Sequence, residues 1–68
     1  MSIGSAIKAR RESLELTQAY VAEVVGISQA MLCQIERGTK NPSLQISVEI
    51  AKVLKCNVED FVEPQKAG

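Results

Sequence analysis

The side chains that carry most reactive chemistry are scarce in this chain. No histidine occurs among its 68 residues, and Cys33 and Cys56 do not form a Cys-x-x-Cys pair. A zinc centre needs thiolate and imidazole ligands at short spacing, so no metal is expected. No nucleophile stands beside a base, and a chain this short has no room for a deep pocket. An enzyme is therefore not expected, nor any cofactor or small-molecule ligand. The chain does offer polar groups suited to recognition. Gln29 and Gln34 carry amides that donate and accept hydrogen bonds together. Thr17, Ser28, Ser43 and Asn57 each stand just before a run of apolar residues at helical spacing.

The elements that would position these groups are all helical. Helix one is predicted over about residues 2–13, with Ile3, Ile7 and Leu14 on one face and Ala6 beside them. Arg10 extends that row by its length, and Lys8, Arg11, Glu12 and Glu15 lie mostly outside. Thr17 caps helix two over residues 18–25, because its hydroxyl can accept a first-turn N–H. Val21, Ala22 and Val25 form the inner stripe of that helix. Gly26 follows, where a left-handed residue closes a helix, and Ile27 plugs the angle. Ser28 caps helix three over residues 29–37, with Leu32 and Ile35 inward and Met31 at their flank. Gln29, Ala30, Cys33 and Gln34 are left on its outer face.

Gly38 ends helix three, and Pro42 keeps the polar loop from extending it. Ser43 caps helix four over residues 44–54. That helix shows two apolar stripes, Leu44-Val48-Ala51-Leu54 and Ile46-Ile50-Val53. Asn57 opens a short fifth helix containing Val58, Phe61 and Val62, with Glu59 and Asp60 in the first turn, where the dipole favours them. Residues 1–63 are read as one domain and 64–68 as a flexible tail.

Composition agrees with a small globule. Apolar residues make up 46% of the chain and charged residues 24%, with Tyr20 and Phe61 as the only aromatics, so the core is aliphatic. No stretch approaches the roughly 18 apolar residues that span a bilayer, and the first residues do not read as a signal peptide. A cytoplasmic protein with two free thiols is expected. The net charge is zero, unusual for a nucleic-acid-binding domain. Residues 1–43 carry one excess positive charge and residues 44–68 one excess negative charge.

Helices two and three, joined at Gly26-Ile27-Ser28, have the order and length of a helix-turn-helix unit. The second helix of such a unit can enter a major groove about 12 Å wide, where glutamine amides suit base edges. Helix N-termini bring backbone N–H groups to phosphates without a net positive charge. Thr17-Gln18, Val21-Ala22, Gly26-Ile27-Ser28, Ile35-Glu36-Arg37-Gly38, Asn41-Pro42-Ser43 and Ile50-Ala51 together resemble the phage-repressor, Cro and Xre-type family of helix-turn-helix regulators. The resemblance runs over about residues 3–62.

It implies a compact five-helix, lambda-repressor-like domain that binds double-stranded DNA. It implies base contacts from Gln29, Ala30 and Gln34, with Cys33 on the same face touching a thymine methyl or nothing. Phosphate contacts are implied for Thr17 and Gln18, and at the edges of the footprint for Ser28, Arg37, Thr39, Lys40 and Asn41. Arg11 and Glu36 match an internal ion pair of such proteins. Tyr20 lies near the phosphate face or only covers the surface. Ile46 and Val53, left over from the core, are candidates for a homodimer contact. The expected function is a small stand-alone dimeric regulator on a palindromic operator, comparable to Cro-like repressors or restriction–modification controllers. The alternative is an antitoxin-type module that binds a partner toxin and regulates its own synthesis.

Overall fold

The computed structural model describes residues 3–61. It contains four α-helices: α1 Ile3–Ser13, α2 Gln18–Val25, α3 Gln29–Arg37 and α4 Leu44–Val53, followed by a single 3-10 turn at Val58–Asp60. No strand occurs among the described residues. The helix starts follow from local chemistry. The hydroxyls of Thr17, Ser28 and Ser43 accept the backbone N–H of Tyr20, Met31 and Ile46 at 3.0, 3.0 and 3.1 Å. Each satisfies a first-turn donor that has no intrahelical partner. Gly26 and Gly38 end α2 and α3 at φ 93° and 86°, a region glycine enters without a steric penalty.

Ile7, Val21, Leu32, Ile35, Ile50 and Leu54 are fully buried and draw side chains from all four helices. Ala22, Ala51 and Phe61 complete the core. α3 packs between α1 and α2, and α4 closes against α2 and the terminal turn. Each fully buried Leu or Ile contributes about 1.5–3 kcal/mol, which matters in a domain this small.

Four expectations are corrected. The fifth helix is one 3-10 turn, closed by the Asp60 N–H on the Asn57 carbonyl and the Phe61 N–H on the Val58 carbonyl, both 2.9 Å. The Asp60 carboxylate reaches back to the Asn57 N–H at 3.0 Å, so the turn is held at its entrance while Phe61 enters the core. Val62 and the tail at 64–68 lie outside the described residues. The inner face of α4 is Ser47, Ile50, Ala51 and Leu54, at the i, i+3, i+4, i+7 spacing of one helix face. Neither apolar stripe is buried whole: Leu44, in the first turn of α4, is 74% exposed. Arg11, which spacing alone puts mostly outside, is buried, because it forms the internal pair with Glu36 that the resemblance implies.

Gly4 was not singled out by its spacing, yet it is buried where α1 meets α3. A Cβ there would overlap the Ile35 carbonyl oxygen and press on the Glu36 backbone. The absence of a side chain lets the two helices approach along their backbones. Arg10 is also more than a row filler. Its Nε and Nη2 donate to the carbonyls of Leu54 and Lys55, at the C-terminal end of α4.

Candidate nucleic-acid interface

α2 and α3 meet at the turn Gly26-Ile27-Ser28, where the Gly26 and Ile27 N–H groups both donate to the Ala22 carbonyl, at 2.8 and 3.0 Å. That closure points α3 away from the end of α2 and leaves one polar side of α3 open. Gln29, Ala30 and Gln34 are exposed on it, and Cys33 is half-buried at its edge. Gln29 and Gln34 lie five residues apart, about 500° around the helix, so their amides diverge by about 140°. Ala30, between them on the same side, keeps the surface low enough for a groove wall to approach.

The other predicted contact residues stand at the starts of α2 and α3, at the end of α3 and in the loop beyond it. Thr17, Ser28, Arg37, Lys40 and Asn41 are exposed. The Thr17 and Ser28 oxygens accept capping N–H groups, which leaves each hydroxyl proton free to donate to an anion. Thr39 is different. Its hydroxyl and its backbone N–H both donate to the Gln34 carbonyl, at 3.2 and 3.0 Å, so its donors already serve the end of α3. Arg37, at the end of α3, and Lys40, in the loop beyond it, are exposed cations.

The support beneath the face is ionic. Arg11 Nε lies 2.7 Å from Glu36 Oε2, and its Nη2 lies 3.0 Å from Oε1, a two-pronged pair that joins α1 to α3. Arg11 Nη1 donates at 2.8 Å to the Leu16 carbonyl in the turn before α2. The Glu36 side chain is 2% exposed. The hydrogen bond to Glu36 holds the Arg11 pKa above its ordinary value against the opposing effect of burial, so the guanidinium stays charged. Gln18 closes the network: its Nε2 donates to Glu36 Oε1 at 3.0 Å. Three elements thus converge on one carboxylate. The Gln18 link was not visible in the sequence, because nothing in residue spacing relates positions 18 and 36.

Ile46 and Val53 are half-buried and pack against the core. The large apolar side chains with most exposure are instead Tyr20, Val24 and Leu44. Cys33 and Cys56 are both free thiols. No group of acidic, cysteine or histidine side chains among the described residues could hold a metal ion. No helix among them is long and apolar enough to cross a membrane.

Known proteins are similar to this chain in sequence and in fold. A helix-turn-helix family profile matches residues 7–61. An uncharacterised helix-turn-helix-type transcriptional regulator of Mycobacterium tuberculosis is 39% identical over 56 residues, which are 82% of this chain and 40% of that protein. The immunity repressor of Bacillus phage phi105 is 39% identical over 62 residues, 91% of this chain and 43% of the repressor. The chain therefore spans less than half the length of these two relatives. The P22 c2 repressor, solved with a synthetic operator, superimposes with a TM-score of 0.86 at 28% identity, covering 93% of this chain and 96% of that one. With the profile matched over residues 7–61, nearly the whole described chain, the protein belongs to the helix-turn-helix family.

Proposed function

We propose that this chain is a sequence-specific DNA-binding transcriptional regulator that acts as a dimer on a palindromic operator. The exposed polar face of α3, Gln29-Ala30-Gln34, carries the reading. Its amides match the paired donor and acceptor at an adenine edge. The P22 c2 repressor, itself solved on an operator, supports the docking by its likeness over nearly the whole chain. Gln18, Thr17 and Ser28 hold phosphates at the starts of α2 and α3, and Arg37, Lys40 and Asn41 hold them at the rim. The Arg11–Glu36 pair is scaffold.

Two subunits place their α3 helices about 34 Å apart, one turn of DNA. Ile46 and Val53 belong to the surface that joins them. The test is selection of bound duplexes from a random library by the purified protein. An enriched palindrome with half-sites one helical turn apart is expected. Recovery of unenriched sequence would end the reading.

A further inference from the structure

We infer that Glu36, from inside the fold, positions the Gln18 amide as a phosphate donor, so that the buried ion pair and the grip on the DNA backbone form one device. This rests on the DNA-binding reading above. The geometry carries it. Gln18 is half-buried at the first position of α2, and its Nε2 donates to Glu36 Oε1 at 3.0 Å. A carboxylate oxygen accepts and never donates, so it selects the amide nitrogen over the amide oxygen. The NH2 group has two hydrogens. One is held by Glu36, and the other is left for an outside acceptor. A free glutamine at this place would turn its oxygen outward as readily, and that oxygen would repel a phosphate.

Charge makes the same point. A lone carboxylate this close to the start of α2 would oppose any anion there. Arg11 neutralises it through two hydrogen bonds, at 2.7 and 3.0 Å, and so lets Glu36 orient the amide without repelling the ligand. Of the first N–H groups of α2, that of Tyr20 is taken by the Thr17 hydroxyl, and those of Gln18 and Ala19 have no intrahelical partner. Glu36 itself touches no DNA in this arrangement. It is a positioning residue.

The experiment is a thermodynamic cycle. Gln18→Ala is combined with replacement of the ion pair by apolar residues, Arg11→Met with Glu36→Leu, which keeps volume and strands no charge. Binding to a selected duplex and to a scrambled duplex is read by fluorescence anisotropy. Gln18→Ala is expected to weaken both by the same factor, about tenfold. The apolar replacement is expected to do the same, and the triple variant to bind no worse than Gln18→Ala alone. A purely structural role for the pair would weaken binding equally with and without Gln18→Ala, and that additive outcome overturns the inference while leaving the DNA-binding reading intact. A parent protein that binds neither duplex overturns both.

Should the replaced pair fail to fold, side-chain amide resonances of the parent protein decide. The Gln18 NH2 hydrogens are expected to exchange with solvent more slowly than those of Gln45, and to shift when duplex is added. Exchange as fast as at Gln45 would mean that Glu36 does not hold the amide.

Discussion

Arg10 closes the C-terminal end of α4 from across the fold: its Nε stands 3.0 Å from the Leu54 carbonyl oxygen. The same guanidinium reaches the Lys55 carbonyl at 3.1 Å. The last carbonyls of a helix have no intrahelical donors and carry partial negative charge. Arg10 supplies donors and opposite charge at once, and it ties α1 to α4. Arg10→Met keeps the aliphatic stem but removes the donors. It is expected to lower stability by about 1–2 kcal/mol, measured as a lower urea midpoint with an unchanged slope.

Gly4→Ala should destabilise the domain although alanine favours helix. The new methyl would meet backbone rather than a movable side chain, at the Ile35 carbonyl oxygen. Helix propensity returns about 1 kcal/mol, whereas overpacking against backbone costs about 1–3 kcal/mol or more. A net loss of about 1–2 kcal/mol in chemical denaturation is expected. A rise in stability would mean that α1 and α3 are not in backbone contact.

Lys55 occupies the left-handed region at φ 58°, just beyond α4. A side chain there costs about 1–2 kcal/mol relative to glycine, offset in part by the greater freedom of glycine in the unfolded chain. Lys55→Gly is expected to stabilise by about 0.5–1 kcal/mol. The Lys55 carbonyl still accepts from Arg10, so thermal unfolding isolates the backbone effect.

Cys56 lies in an open cleft with Ala6, Arg10, Lys55, Asn57, Asp60 and Phe61. Burial pushes its thiol pKa up, with Arg10 opposing and Asp60 adding to the rise. Alkylation of Cys56 by iodoacetamide should therefore need higher pH than that of a fully exposed cysteine. The sign for stability follows: the folded state holds this proton more tightly than the unfolded chain. Its contribution is complete below the unfolded thiol pKa and is lost as pH rises through the folded value. Cys56→Ala should flatten that part of the stability profile, checked by urea unfolding across alkaline pH.

Gln29→Ala and Gln34→Ala should each cost about 1–3 kcal/mol on the selected duplex and little on a scrambled one. Both side chains are exposed, so the melting temperature should stay unchanged. On the proposed reading, about three or four phosphates per subunit are expected to be neutralised, with Arg37 and Lys40 among the cations that contribute. The log–log salt slope should then be about −3 per subunit. A slope steeper than about −6 would contradict this charge reading.

Much of the fold was legible along the chain because its causes are local. A hydroxyl at Thr17, Ser28 or Ser43 meets an N–H three residues on, and glycines at 26 and 38 close the helices they follow. Such signals lie within one or two turns. The exposed set Gln29-Ala30-Gln34 was legible for the same reason, since Leu32 and Ile35 point the opposite way.

Residue order also marked Ile7 in α1, Val21 and Ala22 in α2, and Leu32 and Ile35 in α3 as inner residues, because 3.6-residue periodicity marks a buried face, but it left Arg11 outside. It could not say which of the two apolar stripes of α4 meets a neighbour, and the buried face draws on both, with Ser47 added and Leu44 left exposed. Nor could it show that Gly4 is needed, that Arg10 ends α4, or that Gln18 shares a carboxylate with Arg11. These contacts join positions 18 to 45 residues apart. Backbone approach and hydrogen-bond partners across such gaps follow from how the helices cross, which no local propensity encodes. Tertiary packing alone decided that the buried Glu36 faces Gln18.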